Sequence, residues 1–233
     1  MNTLDRLDID RIAFIGRTYD EYRKIFDLSK SDLGSGHILD CPAGAASFAA
    51  EAHERGFQVT ACDTLYDLPV KELASKGESD IKHIYEKVAE ASHLYMWNYY
   101  KDRDDLISFR KRALNSFLAD FPMGLRQGRY VKASLPNLPF PDGKFKLVIS
   151  SHFLFLYGDR LDLDFHKACL RELVRVSSDE ARIYPLQGLD AKPYLNMGAI
   201  LSFLKHEGIR AKIVEAPFEF QRGSNKMMKL QKE

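Results

Sequence analysis

Ile38-Leu39-Asp40-Cys41-Pro42-Ala43-Gly44-Ala45-Ala46-Ser47 reads as a short apolar strand ending in an acid, then a tight loop of small residues, then the start of a helix. Small residues let a backbone approach a ligand closely, and a helix start offers N–H groups to it. This is the layout of a nucleotide-type cofactor loop at the carboxyl end of the first strand of an α/β sheet. Pro42 interrupts it, because proline has no N–H to donate and holds φ near −65°.

The elements on either side extend the same pattern. A helix is expected over 45–55, stopped by Gly56, and a strand over 57–62 runs into Asp63. Strand, helix and strand in that order make a parallel pair with a right-handed crossover. Upstream, Thr18-Tyr19-Asp20-Glu21 is a capping box that opens a helix over 19–29, with 31–36 as a connector. Residues 65–128 are too many for a simple crossover. A short helix from Pro69 to Gly77, helical spacing over 80–100 and another helix over about 105–120 are expected there, with 94–100, apolar or aromatic nearly all round, covered on more than one side. The alternation resumes with strands over 129–132 and 145–151, a helix over 163–176, a strand over 181–186 and a helix over 193–207. Strands over 209–216 and 218–230 flank Pro217. The expected fold is an α/β, doubly wound, mainly parallel sheet with an antiparallel C-terminal hairpin and a helical insertion between strands 2 and 3. The whole of 1–233 forms one domain, with 1–30 as an N-terminal helical lid and 65–128 as a cap.

Bulk properties restrict the partners. Among 233 residues, 34 Lys and Arg stand against 33 Asp and Glu, a formal net charge of +1. That balance gives no electrostatic footprint for nucleic acid or for an anionic membrane. No apolar run approaches the length of a membrane span. Three scattered cysteines, Cys41, Cys62 and Cys169, fit a reducing compartment and no disulfide framework. A cytoplasmic location is the expectation. The seven histidines show no metal-ligand spacing, so no metal site is expected. The oligomeric state is left open.

Three segments together resemble the class I S-adenosylmethionine-dependent methyltransferases. In the opening loop, Asp40 matches the strand-end acid and Gly44 the central glycine, while Pro42 and Ala46 stand where glycines are usual. In Val59-Thr60-Ala61-Cys62-Asp63, Asp63 stands at the ribose-binding acid. The stretch YVKASLPNLPFPDGKFKLVIS over 130–150 resembles the family's approach to the adenine and its LPFPDG turn into strand four. The departures there are Ser134 in place of a frequent Asp and Lys146 in place of the Asp of FDLV. The resemblance covers about 30–63 and 129–233 and points to uncharacterised bacterial methyltransferase-like proteins. It implies S-adenosyl-L-methionine as cofactor and a small-molecule acceptor. It implies a Rossmann-like sheet that binds the cofactor through Arg17, Asp40, Pro42, Ala43, Gly44, Asp63, Thr64, Ser134, Leu135 and Ser150.

His152, directly after the 145–151 strand, stands where ligands bind in open α/β sheets. It is either the general base for an acceptor hydroxyl or amine, or a histidine bonded to nearby backbone. Arg17 reaches a carboxylate of cofactor or substrate, or lies on the surface. Tyr95, Trp97, Tyr99 and Tyr100 wall an acceptor pocket or fill core. The basic run Phe109-Arg110-Lys111-Arg112 is read as a solvated helix face. Against methyl transfer stands a binding or regulatory protein on the same scaffold, supported by Pro42, Ala46 and Ser134. A nicotinamide-dependent oxidoreductase lacks its G-x-G-x-x-G, and a nucleic-acid methyltransferase lacks both basic charge and a DPPY-like tetrapeptide.

Overall fold

The computed structural model describes residues 6–233, so the first five residues of the expected lid lie outside it. Seven strands form one sheet: β1 (Ile38–Asp40), β2 (Val59–Asp63), β3 (Tyr130–Lys132), β4 (Phe145–Ser151), β5 (Ser177–Tyr184), β6 (Ile209–Glu215) and β7 (Lys226–Lys232). Their order across the sheet is β3-β2-β1-β4-β5-β7-β6. Parallel pairing joins β3 to β2, β2 to β1, β1 to β4 and β4 to β5. β7 runs antiparallel to both β5 and β6. The doubly wound sheet with an antiparallel hairpin is therefore as expected. The central strands are buried on both faces, as β1 and β4 show, which is why they read as continuous apolar runs.

Strand order reverses between β1 and β4. From β1 the chain winds outward to β2 and β3; from β4 it winds the other way. In open α/β sheets the ligand crevice lies outside the strand ends at such a switch point. Here those ends carry the loop after Asp40 and the Ser151–His152 corner.

The helices are α1 (Tyr19–Ile25), α2 (Lys30–Gly34), α3 (Phe48–Glu54), α4 (Val70–Glu90), α5 (Arg103–Arg126), α6 (Leu163–Val176) and α7 (Met197–His206). The Thr18 capping box forms, with Glu21 N–H donating to Thr18 Oγ1 and Thr18 N–H to the Glu21 carboxylate. Of the expected helical lid, only α1 is helical before α2; residues 12–18 have no helix or strand.

The insertion differs most from the sequence expectations. α4 runs straight through Gly77, because a Cβ there would lie 2.6 Å from Leu114 Cδ1 of α5. Gly77 is a helix-packing site, not a stop. The helix ends at Glu90, and the aromatic run beyond it leaves helical geometry. Tyr95 makes an isolated bridge to Gln221, Met96 N–H donates to Phe220 O at 2.6 Å, and the Tyr95 and Phe220 rings stack at 4.5 Å. A segment apolar on all sides gains more by interleaving with 218–224 than from one helix face. Residues 218–225 accordingly precede β7 instead of belonging to it. α5 continues through Pro122 to Arg126. β5 starts four residues earlier than expected, at Ser177.

Arg110 is a correction as well. It is 3% exposed, while Lys111 and Arg112 face solvent. Leu106, Arg110, Ala113, Phe117 and Phe121 follow one another at intervals of three or four residues, so helical periodicity places Arg110 on the buried stripe of α5.

Candidate functional site

A partly open cavity of about 150 Å³ lies at the switch point. Its walls include Pro42, Ala43 and Gly44 after β1, Asp63 at the end of β2, Ser151 at the end of β4, and His152 and Phe153 after it. Arg17, Tyr22, Tyr95 and Arg110 close it from the N-terminal segment and the insertion, and Phe220, Gln221 and Ser224 from the C-terminal loop. Most of the remaining lining is aliphatic.

Residues 6–17 act as a strap over this site. Asp80 of α4, 1% exposed, accepts from Phe14 N–H at 2.7 Å and from Arg11 Nε at 2.8 Å. Tyr157 OH accepts from Ala13 N–H at 3.1 Å, and Arg160 donates to Ile9 O. The strap then lies directly on the cofactor-type loop. A Cβ on Gly16 would fall 1.8 Å from Ala45 O, so only glycine permits this approach. Ser47 N–H donates to Arg17 O at 3.1 Å.

The loop is held mostly by itself. Gly44 has φ +56° and donates its N–H to Asp63 Oδ2 at 3.0 Å. Ala43 N–H goes to Cys62 O and Ala46 N–H to Ala43 O, while Tyr66 OH donates to Gly44 O at 2.7 Å. Asp63 Oδ1 accepts from Leu65 N–H at 3.0 Å. Burial raises the Asp63 carboxyl above the ordinary range, and these N–H donors oppose the shift.

Asp40 lies beneath the loop, 0% exposed, and does not reach the cavity lining. Tyr22 OH donates to its Oδ1 at 3.2 Å, and Oδ2 is buried without a donor among the described residues. Burial pushes this carboxyl well above its usual range. Ser150 is buried at the end of β4, and Ser134 and Thr64 are exposed outside the cavity. Ser134 Oγ donates to Leu135 O at 3.1 Å. The cavity thus brings together Arg17, Pro42, Ala43, Gly44, Asp63 and His152; Asp40, Thr64, Ser134, Leu135 and Ser150 stand outside its lining.

His152 sits at φ +52°, a left-handed conformation rare for a non-glycine residue. Its N–H donates to Tyr184 O at 2.6 Å, and its Nδ1 pairs with Ser151 Oγ at 2.8 Å. Burial, then the charges of Arg17 and Arg110, depress its pKa well below the usual value. An imidazole so placed is neutral at pH 7. The unfolded chain takes up a proton near pH 6.5 that the folded chain resists. This contribution is complete above about pH 6.5 and is lost as the pH falls below it. Urea titrations at pH 7.5 and 5.5 should show that loss, and His152→Gln should shrink it; an equal loss in both proteins would exclude His152 as the source.

Behind the cavity, Arg110 Nη1 donates to Glu21 Oε1 at 2.7 Å and to Gly16 O at 3.1 Å, and Nη2 to Tyr100 OH at 2.5 Å. Tyr100 OH also bonds to Glu21. Burial raises Glu21, but Arg110 and Arg17 outweigh it, so the carboxylate stays below its ordinary range. Of the four aromatics considered for the pocket wall, Tyr95 lines it; Trp97, Tyr99 and Tyr100 do not. Tyr22, Arg110 and Tyr157 also line it. Arg110 was legible from the stripe of α5, whereas Tyr22 looks like any apolar-face residue of α1.

No family model matches the chain. The uncharacterised protein MJ0045 of Methanocaldococcus jannaschii is 30% identical over 223 residues, covering 95% of this chain and 97% of that protein. It is archaeal, whereas the sequence resemblance pointed to bacterial proteins. The methyltransferase domain of bacterial CtHen1-CN aligns at 10% identity over 91% of this chain and 99% of that one, with a TM-score of 0.51. A SAM-dependent methyltransferase from Aquifex aeolicus aligns at 16% identity over 91% and 87%, with a TM-score of 0.42. No helix among the described residues is long and apolar enough to cross a membrane. The sheet is that of the Rossmann-like methyltransferases, and the chain belongs to the same family as MJ0045.

Proposed function

We propose that this protein transfers a methyl group from S-adenosylmethionine to a small-molecule acceptor. The observation that carries the proposal is the meeting of Gly44, Asp63 and His152 around one cavity at the switch point of a methyltransferase sheet. The residues present fit the cofactor. Asp63 lines the cavity, and Oδ2 has accepted one N–H, which leaves a lone pair for a ribose hydroxyl. When bound, S-adenosylmethionine supplies an electrophilic methyl group on a sulfonium.

In this proposal Asp63 accepts the ribose hydroxyls, while Pro42, Ala43 and Gly44 form the floor. Thr64 and the Ser134–Leu135 turn lie toward the adenine, at the β2–β3 edge where Ala133 N–H donates to Asp63 O at 3.2 Å. Asp40 and Ser150 support the loop and the β4 corner from below. Neutral His152 takes the proton from the acceptor at Nε2, while Ser151 holds Nδ1. The strap and the 65–128 insertion exclude water and align the acceptor, which is most of what such a displacement needs.

S-adenosylmethionine at near-millimolar concentration should raise the melting temperature of the wild-type protein. Asp63→Ala should weaken binding about tenfold or more, through loss of charge-assisted hydrogen bonds. No shift in the wild type would remove the proposal. A catalytically weak or inactive binding protein is favoured by one observation: the N–H groups of Ala43, Gly44, Ala46 and Ser47 all donate within the protein. That alternative predicts cofactor binding without turnover, or no binding.

A further inference from the structure

Arg17 is a charged side chain without a partner among the described residues. Its Nε is buried with no acceptor, and its guanidinium forms no ion pair among the described residues. The neighbouring carboxylate, Glu21, is taken up by Arg110, Tyr100 and Thr18. Two guanidiniums, Arg17 and Arg110, thus line the cavity beside one carboxylate that is already committed. Arg17 is half-buried, with its Nε out of reach of solvent; such a cation is costly to leave unpaired, and a bound anion relieves that cost.

The position of the charge favours the acceptor end. Asp63, at the proposed ribose, and His152, at the proposed base, are separated by β1 in the sheet. Arg17 lines the same cavity as His152, Tyr95 and Tyr157, and its positive charge helps hold the His152 pKa down. The surrounding wall is apolar, with Ile9, Ile15, Ile84, Leu106 and Leu156. One unpaired guanidinium balances one carboxylate; a dianionic phosphate would leave excess charge in an apolar cavity.

We infer that the methyl acceptor is an apolar molecule bearing a carboxylate, held by Arg17 beside His152. This rests on the methyl-transfer proposal above for the word acceptor, but not for the existence of the acid site.

Calorimetric titration can separate the two. The probes are 4-hydroxybenzoate, phenylacetate and octanoate, each against its uncharged amide, with and without S-adenosylhomocysteine. At least one carboxylate should bind about tenfold or more tightly than its amide. Arg17→Met should abolish that preference, and an unchanged circular dichroism spectrum with a cooperative thermal transition shows that the variant is folded. Arg17→Lys should keep part of the preference. The inference is overturned if no carboxylate binds, if acid and amide bind alike, or if Arg17→Met retains the preference. It is also overturned if Arg17→Met loses S-adenosylhomocysteine, because Arg17 would then hold the cofactor carboxylate. If S-adenosylhomocysteine fails to bind the wild type while the acid preference depends on Arg17, the acid site stands and the methyl-transfer proposal falls.

Discussion

Arg110→Ala is expected to lower the unfolding free energy by about 3–5 kcal/mol, the usual cost of leaving one member of a buried ion pair without its counter-charge. Glu21 is 0% exposed and Arg110 3% exposed, so solvent does little to screen the pair. Without the guanidinium, Glu21 keeps the Thr18 and Tyr100 donors but no cation at hydrogen-bond distance. Gly16 O loses its donor as well, which loosens the strap where it touches the loop. Urea denaturation at neutral pH measures the effect. The double variant Glu21→Gln/Arg110→Met should recover most of the loss, because replacing both charges removes the uncompensated one. A loss under about 1 kcal/mol in the single variant would mean that the pair is solvated in a way its burial does not show.

Phe117→Ala should be comparably damaging, at about 3–5 kcal/mol for a fully buried phenylalanine. Its ring packs at centroid distances of 5.9 Å from Phe14, 5.7 Å from Tyr66, 5.1 Å from Phe121 and 5.5 Å from Tyr130. The partners matter more than the area. Phe14 belongs to the strap, Tyr66 holds the Gly44 carbonyl, and Tyr130 opens β3. A cavity at Phe117 therefore reaches three parts of the site through one cluster. Hydrogen exchange should quicken at the Ala13 and Phe14 amides, which are bonded to Tyr157 and Asp80. Unchanged protection there, with stability lost, would show that the strap is held independently of α5.

What the sequence disclosed followed from periodicity and punctuation. β4 and α6 were expected over 145–151 and 163–176, and they occupy those residues. An unbroken apolar strand and an amphipathic helix capped by Asp162 leave little room for error. The β1–α3–β2 unit came out within three residues at each boundary, because Asp40, Gly56 and Asp63 mark its joints. The insertion was harder. Gly77 looks like a stop in one dimension and is a contact for Leu114 in three. The 94–100 run is covered from several sides, as its all-round apolar character requires, but it pairs with 220–221 instead of continuing a helix. The strap carries no periodic signal; its course is set by Asp80, Tyr157 and Arg160, which lie far from it in sequence.

The site divides along the same line. Gly44, Asp63 and His152 follow strands, and strand ends are predictable from pattern alone. Arg110 was misread because a run of basic residues reads as a solvated face until the three- and four-residue intervals are counted. Asp40 was expected at the ligand, but the fold seats it beneath the loop against Tyr22. Which loop amides are free to reach a ligand could not be read from composition, since it depends on the carbonyls of Cys62 and Arg17.

The most direct test of cofactor binding at this cavity is calorimetric titration of the wild-type protein with S-adenosylhomocysteine. The proposed function predicts saturable binding of one molecule per chain, weakened about tenfold or more in Asp63→Ala. Absence of binding at near-millimolar ligand, or equal affinity in Asp63→Ala, would contradict it.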